Sequence, residues 1–258
     1  MITFDNVHKR FGDHHVLRGV SFDVQPGTVH FVMGRSGAGK SVLTKQLVGL
    51  LRPDAGAIWF DGRDVTSLDE AGFSTVRQRC QMIFQHSTLF ESLTVLENVA
   101  MPIRKRFRSS RADADEQARV ALQQVHAENL AARFPPDLGA GIRKRVAIAR
   151  AIALKPEVLL YDEPTTSLDP VAARRTDRLV AEMARTLGIT SMVVSHDLDS
   201  LTGIADRVTF LHEGAVHFDG VAADMLSSDD PILRSFVGNA RSRWDWRRGS
   251  LAHDGGAC

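Results

Sequence analysis

The sequence predicts an α/β fold in which an antiparallel β start leads into a parallel sheet, with a helical subdomain inserted before the sheet resumes. Three observations carry this expectation. Short β-rich runs fill the chain as far as Met33, a glycine-rich bend beginning at Gly34 opens a helix, and strand signals nearly vanish between Gln85 and Pro156 before apolar runs return.

Taken in order, Ile2 to Val7, Val16 to Val24 and Thr28 to Met33 read as strands, separated by turns at Phe11-Gly12-Asp13 and Gln25-Pro26-Gly27. Val42, Leu43, Leu47 and Leu50 then make a helical stripe over Ser41 to Leu50. Ala57 to Phe60 and Gln81 to Phe84 add short strands, the first ending at Asp61-Gly62. The insert, about residues 86–155, holds a helix over Ala114 to Ala132 and a second helical pattern at Val146, Ala149 and Ile152. Val158 to Tyr161, Thr190 to Val194 and Val208 to Leu211 are short apolar runs, and the helical stretch Ala172 to Leu187 makes the first two a βαβ crossover. A parallel sheet buried on both faces follows. His212-Glu213-Gly214-Ala215 reads as a hairpin turn into Val216 to Asp219. The expectation is one domain over 1–240 and a loose tail, 241–258, carrying Trp244 and Trp246 among arginines.

Composition excludes several classes. Of 258 residues, 43% are hydrophobic and 24% charged, which is ordinary globular usage and not that of a disordered or collagenous chain. Lysine and arginine number 32 against 31 acidic residues, so the net charge of +1 gives no reason to expect a nucleic-acid partner. Cys80 and Cys258 lie too far apart for a disulfide framework, which favours a reducing cytosol. No apolar stretch approaches the ~20 residues needed to span a bilayer, and the first residues lack the apolar core of a secretion signal. Arg104-Lys105-Arg106-Phe107-Arg108 and Arg111 form a basic cluster, read as a solvated loop, with anionic headgroups or a membrane partner as the alternative.

Gly34-Arg35-Ser36-Gly37-Ala38-Gly39-Lys40-Ser41 fits the phosphate-binding P-loop pattern and lies between a strand and a helix, the context that pattern requires. Glycines let the backbone curl so that successive N–H groups and the helix N-terminus face an anion. Lys40 adds a point charge, and the Ser41 hydroxyl suits Mg²⁺. Val158-Leu159-Leu160-Tyr161-Asp162-Glu163 is an apolar strand ending in two carboxylates, one suited to assist the metal and one to face an attacking water.

With these two motifs, Gln85, Leu138-Gly139-Ala140-Gly141-Ile142-Arg143-Lys144-Arg145, Ser167-Leu168-Asp169 and His196 follow in an order that resembles the nucleotide-binding subunit of ABC transporters, over about residues 2–225. That resemblance implies a RecA-like P-loop NTPase core with an N-terminal antiparallel β subdomain. It also implies an ATPase that uses ATP and Mg²⁺. Under it, Phe11 stacks on adenine, and the nucleotide contacts run from Gly34 through Val42 with Gln85. Ser41, Asp162 and Gln85 hold Mg²⁺, while Glu163, His196 and Lys40 do the catalytic work. Gly139, Ala140 and Gly141 face the nucleotide of the opposite subunit, and Asp169 lies in the loop that meets that subunit. The partners implied are a second copy of the chain and an integral membrane permease, with the ATPase at the inner face of the cell membrane.

Leu89-Phe90-Glu91-Ser92-Leu93-Thr94-Val95-Leu96-Glu97-Asn98-Val99-Ala100, Ser195 to Ser200 and Asp230-Pro231-Ile232-Leu233-Arg234-Ser235-Phe236 resemble the Mce/Mla-type ATPases. This finer likeness implies lipid transport and an envelope lipid-binding Mce-type subunit. The alternatives are an importer of another substrate, or a soluble or regulatory ABC-type ATPase.

The family signature reads Leu-Ser-Gly-Gly followed by Gln or Met, whereas this chain has Gly139 for the serine, Ala140 for the first glycine and Ile142 at the last place. Losing a hydrogen bond to a charged group costs about 1.5–3 kcal/mol. Felt wholly in the transition state, that slows hydrolysis roughly 10- to 150-fold.

Overall fold

The computed structural model describes residues 1–238. The chain opens with strands β1 (Ile2–Phe11), β2 (His14–Val24) and β3 (Val29–Gly34), then helix α1 (Lys40–Leu47). Strands β4 (Ala55–Phe60) and β5 (Arg63–Asp64), helix α2 (Glu70–Arg79) and strand β6 (Cys80–Ile83) follow. The helical part comprises α3 (Val95–Phe107), α4 (Arg111–Gln124) and α5 (Ala140–Ile152). After it come β7 (Val158–Asp162), α6 (Pro170–Leu187), β8 (Thr190–Val194), α7 (Leu198–Ile204), β9 (Arg207–His212), β10 (Ala215–Gly220) and α8 (Ala222–Ser227). Residues 231–238 are helical as well.

These elements build two sheets. One is antiparallel, in the order β2-β1-β4-β5; the other runs β10-β9-β3-β8-β7-β6, with β9, β3, β8, β7 and β6 parallel and β10 turned back as a hairpin. Successive side chains of the parallel strands point to opposite faces. Phe31, Met33, Leu159, Tyr161, Val193 and Phe210 therefore pack with the helical part, while Val32, Leu160, Met192, Val194 and Leu211 pack toward α1 and the antiparallel sheet. The continuous apolar runs at β7 and β8 follow from this burial on both faces.

Local chemistry sets the ends of the helices. Thr94 and Glu97 close a reciprocal capping box on α3. Asp169 caps α6 ahead of Pro170, and Gly188 ends that helix at φ 66°, a conformation glycine adopts without steric cost. Several boundaries differ from expectation. β1 and β2 extend to Phe11 and back to His14, so the turn between them is tight. The helix expected over 114–132 ends at Gln124, where His126 turns left-handed at φ 53° and a short 3₁₀ turn, Glu128–Leu130, takes over. Arg104, Lys105 and Arg106 do not lie in a loop: they form the last turn of α3, where cations oppose the negative end of the helix dipole. The tail over 241–258 lies outside the described residues.

Candidate functional site

Three neighbouring strand ends build the site. β3 ends at Gly34 and feeds the P-loop, β8 leads to His196, and β7 ends at Asp162 and Glu163. In an open α/β sheet the crevice beyond the carboxyl ends of the strands is where ligands bind.

The bend needs its glycines. Gly34, Gly37 and Gly39 have φ of 148°, 83° and 96°, and a Cβ on Gly39 would come within 2.5 Å of Leu17 and 3.1 Å of the Val16 carbonyl. Any larger residue there is both strained and obstructed. Arg35, Ser36 and Gly37 are exposed at the crest, and Ala38 is buried beneath it. Lys40, only 7% exposed, donates from Nζ to the Gly34 carbonyl at 2.9 Å and the Arg35 carbonyl at 3.1 Å. Burial lowers its pKa, opposed by the charges of Glu163 and Asp162. Val42 packs partly against the core beneath the antiparallel sheet.

Ser41 Oγ donates to Asp162 Oδ1 at 2.6 Å. Among the described residues no cluster of His, Cys, Asp and Glu could hold a metal ion by itself. A hydroxyl beside a single carboxylate, at the mouth of a backbone cradle for phosphate, suits Mg²⁺, which is bound by one or two carboxylates together with substrate phosphates and water. The residues present fit ATP with Mg²⁺.

Glu163 has a left-handed backbone at φ 50°, and its N–H donates to the Val194 carbonyl at 2.8 Å. A non-glycine residue held there marks a backbone fixed by its surroundings. Its carboxylate accepts from Thr166 Oγ1 at 3.1 Å and from His196 Nδ1 at 2.9 and 3.0 Å. The Glu163 hydrogen bond raises the His196 pKa, with burial working the other way.

Lys40, Ser41, Asp162, Glu163 and His196 thus come together. Phe11 stands apart at the end of β1, 47% exposed, with the Lys9 ammonium 5.4 Å from its ring centroid. Gln85 is exposed beyond β6. Gly139 and Ala140 are exposed at the start of α5, and Gly139 supplies no side-chain cap. Gly141 differs in kind, since a Cβ there would sit 2.7 Å from Ala172 Cβ on α6. The Asp169 carboxylate is occupied in capping α6, accepting from the amides of Val171 and Ala172.

Sequence reasoning missed Thr166 and Lys144. Lys144, 2% exposed, donates to the carbonyls of Phe84 and Gln85, and burial pushes its ammonium down to about 8. The signal was present: Lys144 falls on the apolar stripe of α5 that continues through Ala147, Ile148 and Ala151.

The ABC transporter family matches residues 17–166. A methionine import ATP-binding protein of Pseudomonas aeruginosa (strain UCBPP-PA14), MetN 2, is 38% identical over an alignment of 259 positions, covering 98% of this chain and 77% of that protein. MetN of Caulobacter vibrioides is 40% identical over 245, covering 93% of this chain and 73% of that protein. Among solved structures, the dimeric post-hydrolysis state of the ATP-binding cassette MJ0796, bound to ADP and Pi, aligns with TM-score 0.77 at 29% identity, covering 86% of this chain and 99% of that one. Clostridium perfringens cbiO1, part of the cbiONQ ABC transporter complex, aligns with TM-score 0.82 at 27% identity, covering 96% and 98%.

These relatives give no support to the Mce/Mla lipid expectation or to an Mce-type partner. The residues that suggested it serve the fold. Asn98 ties Phe90, Leu93 and Thr94 together, Asp197 caps α7, and Asp230 caps the helix over 231–238, none of which depends on cargo. Family match, length of coverage and cassette fold agree: the chain belongs to the ATP-binding subunits of ABC transporters and is an ATPase.

Proposed function

We propose that two copies of this chain form the ATP-driven motor of an importer, seated on the inner face of the membrane beneath a permease, and that the solute resembles methionine. The observation that carries the catalytic part is the convergence of Lys40, Ser41, Asp162, Glu163 and His196 at three adjacent strand ends. The import part is supported by relatives named as methionine import proteins. No helix among the described residues is long and apolar enough to cross a membrane.

In this reading the P-loop amides and Lys40 orient the polyphosphate, and Phe11 offers a face to the adenine. Ser41 and Asp162, joined by Gln85, hold Mg²⁺, which supplies charge neutralisation at the phosphate oxygens when bound. Glu163 orients and polarises the attacking water; His196, released from the carboxylate, turns its imidazole to the γ-phosphate. The work is positioning and electrostatics. Gly139, Ala140 and Gly141 meet the partner subunit's nucleotide through backbone N–H groups at the start of α5, in place of a serine hydroxyl. Asp169 lies at the same interface, with its carboxylate engaged in holding α6.

The test is the full transporter in liposomes. ATP hydrolysis should rise when methionine is offered to the loading side. Stimulation by phospholipid, with methionine inert, would replace the import reading with lipid movement.

A further inference from the structure

Helix α5 reaches residues 84–88 through two cations, the buried Lys144 and the half-buried Arg150, and each donates there to backbone carbonyls, while the charge of Asp162 at the end of β7 also acts on Lys144. Lys144 Nζ donates to the Phe84 carbonyl at 2.8 Å and the Gln85 carbonyl at 2.7 Å. Arg150 donates to the Ser87 carbonyl at 3.4 Å, the Thr88 carbonyl at 2.9 Å and Thr88 Oγ1 at 3.1 Å. The backbone on both sides of Gln85 is therefore fastened to one helix, while Gln85 itself is exposed. A lysine placed among Ala147, Ile148 and Ala151 carries a desolvation cost that an apolar residue of similar size would avoid. Its hydrogen bonds among the described residues go to two carbonyls at one bend.

The same helix begins at Gly139, the segment that the proposed function assigns to the partner subunit's nucleotide. We infer that Lys144 is a positioning residue that makes α5 and the Gln85 bend one rigid piece, so that engagement of the signature end with one nucleotide sets Gln85 at the other. This rests on the two-copy reading of the site. Arg150 holds the far side of the bend, where Thr88 has a left-handed backbone at φ 46°, and Lys144 holds the near side.

Two measurements on the full chain test it. The first needs no nucleotide: a nitroxide placed at position 86 (His86→Cys, with Cys258→Ser to leave only buried Cys80) reports the bend by its EPR line shape. Lys144→Met should narrow the lines, and Lys144→Arg should restore them. The second is a cycle of steady-state ATPase rates. Lys144→Met should lower kcat on the order of 10- to 100-fold, the scale of a misplaced catalytic group. In a Gln85→Ala background it should cost little more, because both changes remove one coupled unit. Affinity for ATP in the absence of metal should match the parent. Unchanged line shape in Lys144→Met overturns the inference, as does a rate loss that multiplies with that of Gln85→Ala or that Lys144→Arg fails to rescue. Narrowed lines in Lys144→Met beside a parent that does not hydrolyse ATP would refute the proposed function while leaving the fastening intact.

Discussion

His196 Nδ1 lies 2.9 Å and 3.0 Å from the two carboxylate oxygens of Glu163, so the imidazole of one strand end bridges the carboxylate of the next. This contact joins the two residues assigned to water activation and to the γ-phosphate, and it shapes how His196 titrates.

The His196 pKa is raised by its bond to Glu163. A raised value means that the stabilisation is fully present below about pH 6.5, the unfolded value, and is lost as pH rises through the folded one. NMR titration without added nucleotide should place His196 above 6.5, and Glu163→Gln should bring it back toward 6.5. The same Glu163→Gln variant should bind ATP and fail to turn it over; normal turnover would remove Glu163 as the base.

The signature departure offers a gain-of-function test. No atom lies within 4 Å of a Cβ built on Gly139, and that residue caps α5 without a side-chain bond, so serine fits there. Gly139→Ser should stabilise the helix by a few tenths of a kcal/mol. It should also raise turnover with the permease present, by up to roughly 10- to 150-fold. No gain would show that backbone donors already suffice. Gly141→Ala should act oppositely: its Cβ meets Ala172 at 2.7 Å, and overpacking of this kind costs about 1–3 kcal/mol in a denaturant titration.

Acid stability should depend on His30. Its Nε2 lies 2.8 Å from Thr209 Oγ1, whose own proton goes to Asp219, so His30 must be the donor and its Nδ1 is left buried without a partner. Burial lowers its pKa to about 4. Between pH 6.5 and 4 the unfolded chain takes up a proton that the fold refuses, so stability rises with pH across that window and is lost on acidification. The loss from pH 7 to 5 should be on the order of 2 kcal/mol. Urea titrations of His30→Gln should show a shallower decline over that range; an equal decline would exclude His30 as its source.

Much of the parallel sheet was legible because burial on both faces leaves continuous apolar runs, as at β7 and β8. The P-loop and the acidic pair were legible because each sits at a strand end with its own residue pattern. Helices α2 and α3 were not. α2 buries only Phe73 and Val76, too sparse a stripe to stand out, and α3 contains Pro102 and ends in a basic run that resembles solvated loop. Lys144 was hidden for a different reason: it lies between Arg143 and Arg145, and only the helix phase separates the buried cation from its partly exposed neighbours. The lipid expectation gains no support because capping and loop-tying residues such as Asn98 and Asp230 record how the chain folds and carry no information on what it moves.

Equilibrium binding of labelled ATP to the purified full chain, with Mg²⁺ present, reaches the central claim most directly. The parent should bind saturably, and Lys40→Ala should lose most of that affinity, since it removes the buried ammonium held inside the P-loop bend by the Gly34 and Arg35 carbonyls. Equal binding by parent and Lys40→Ala, or none by either, would contradict the account.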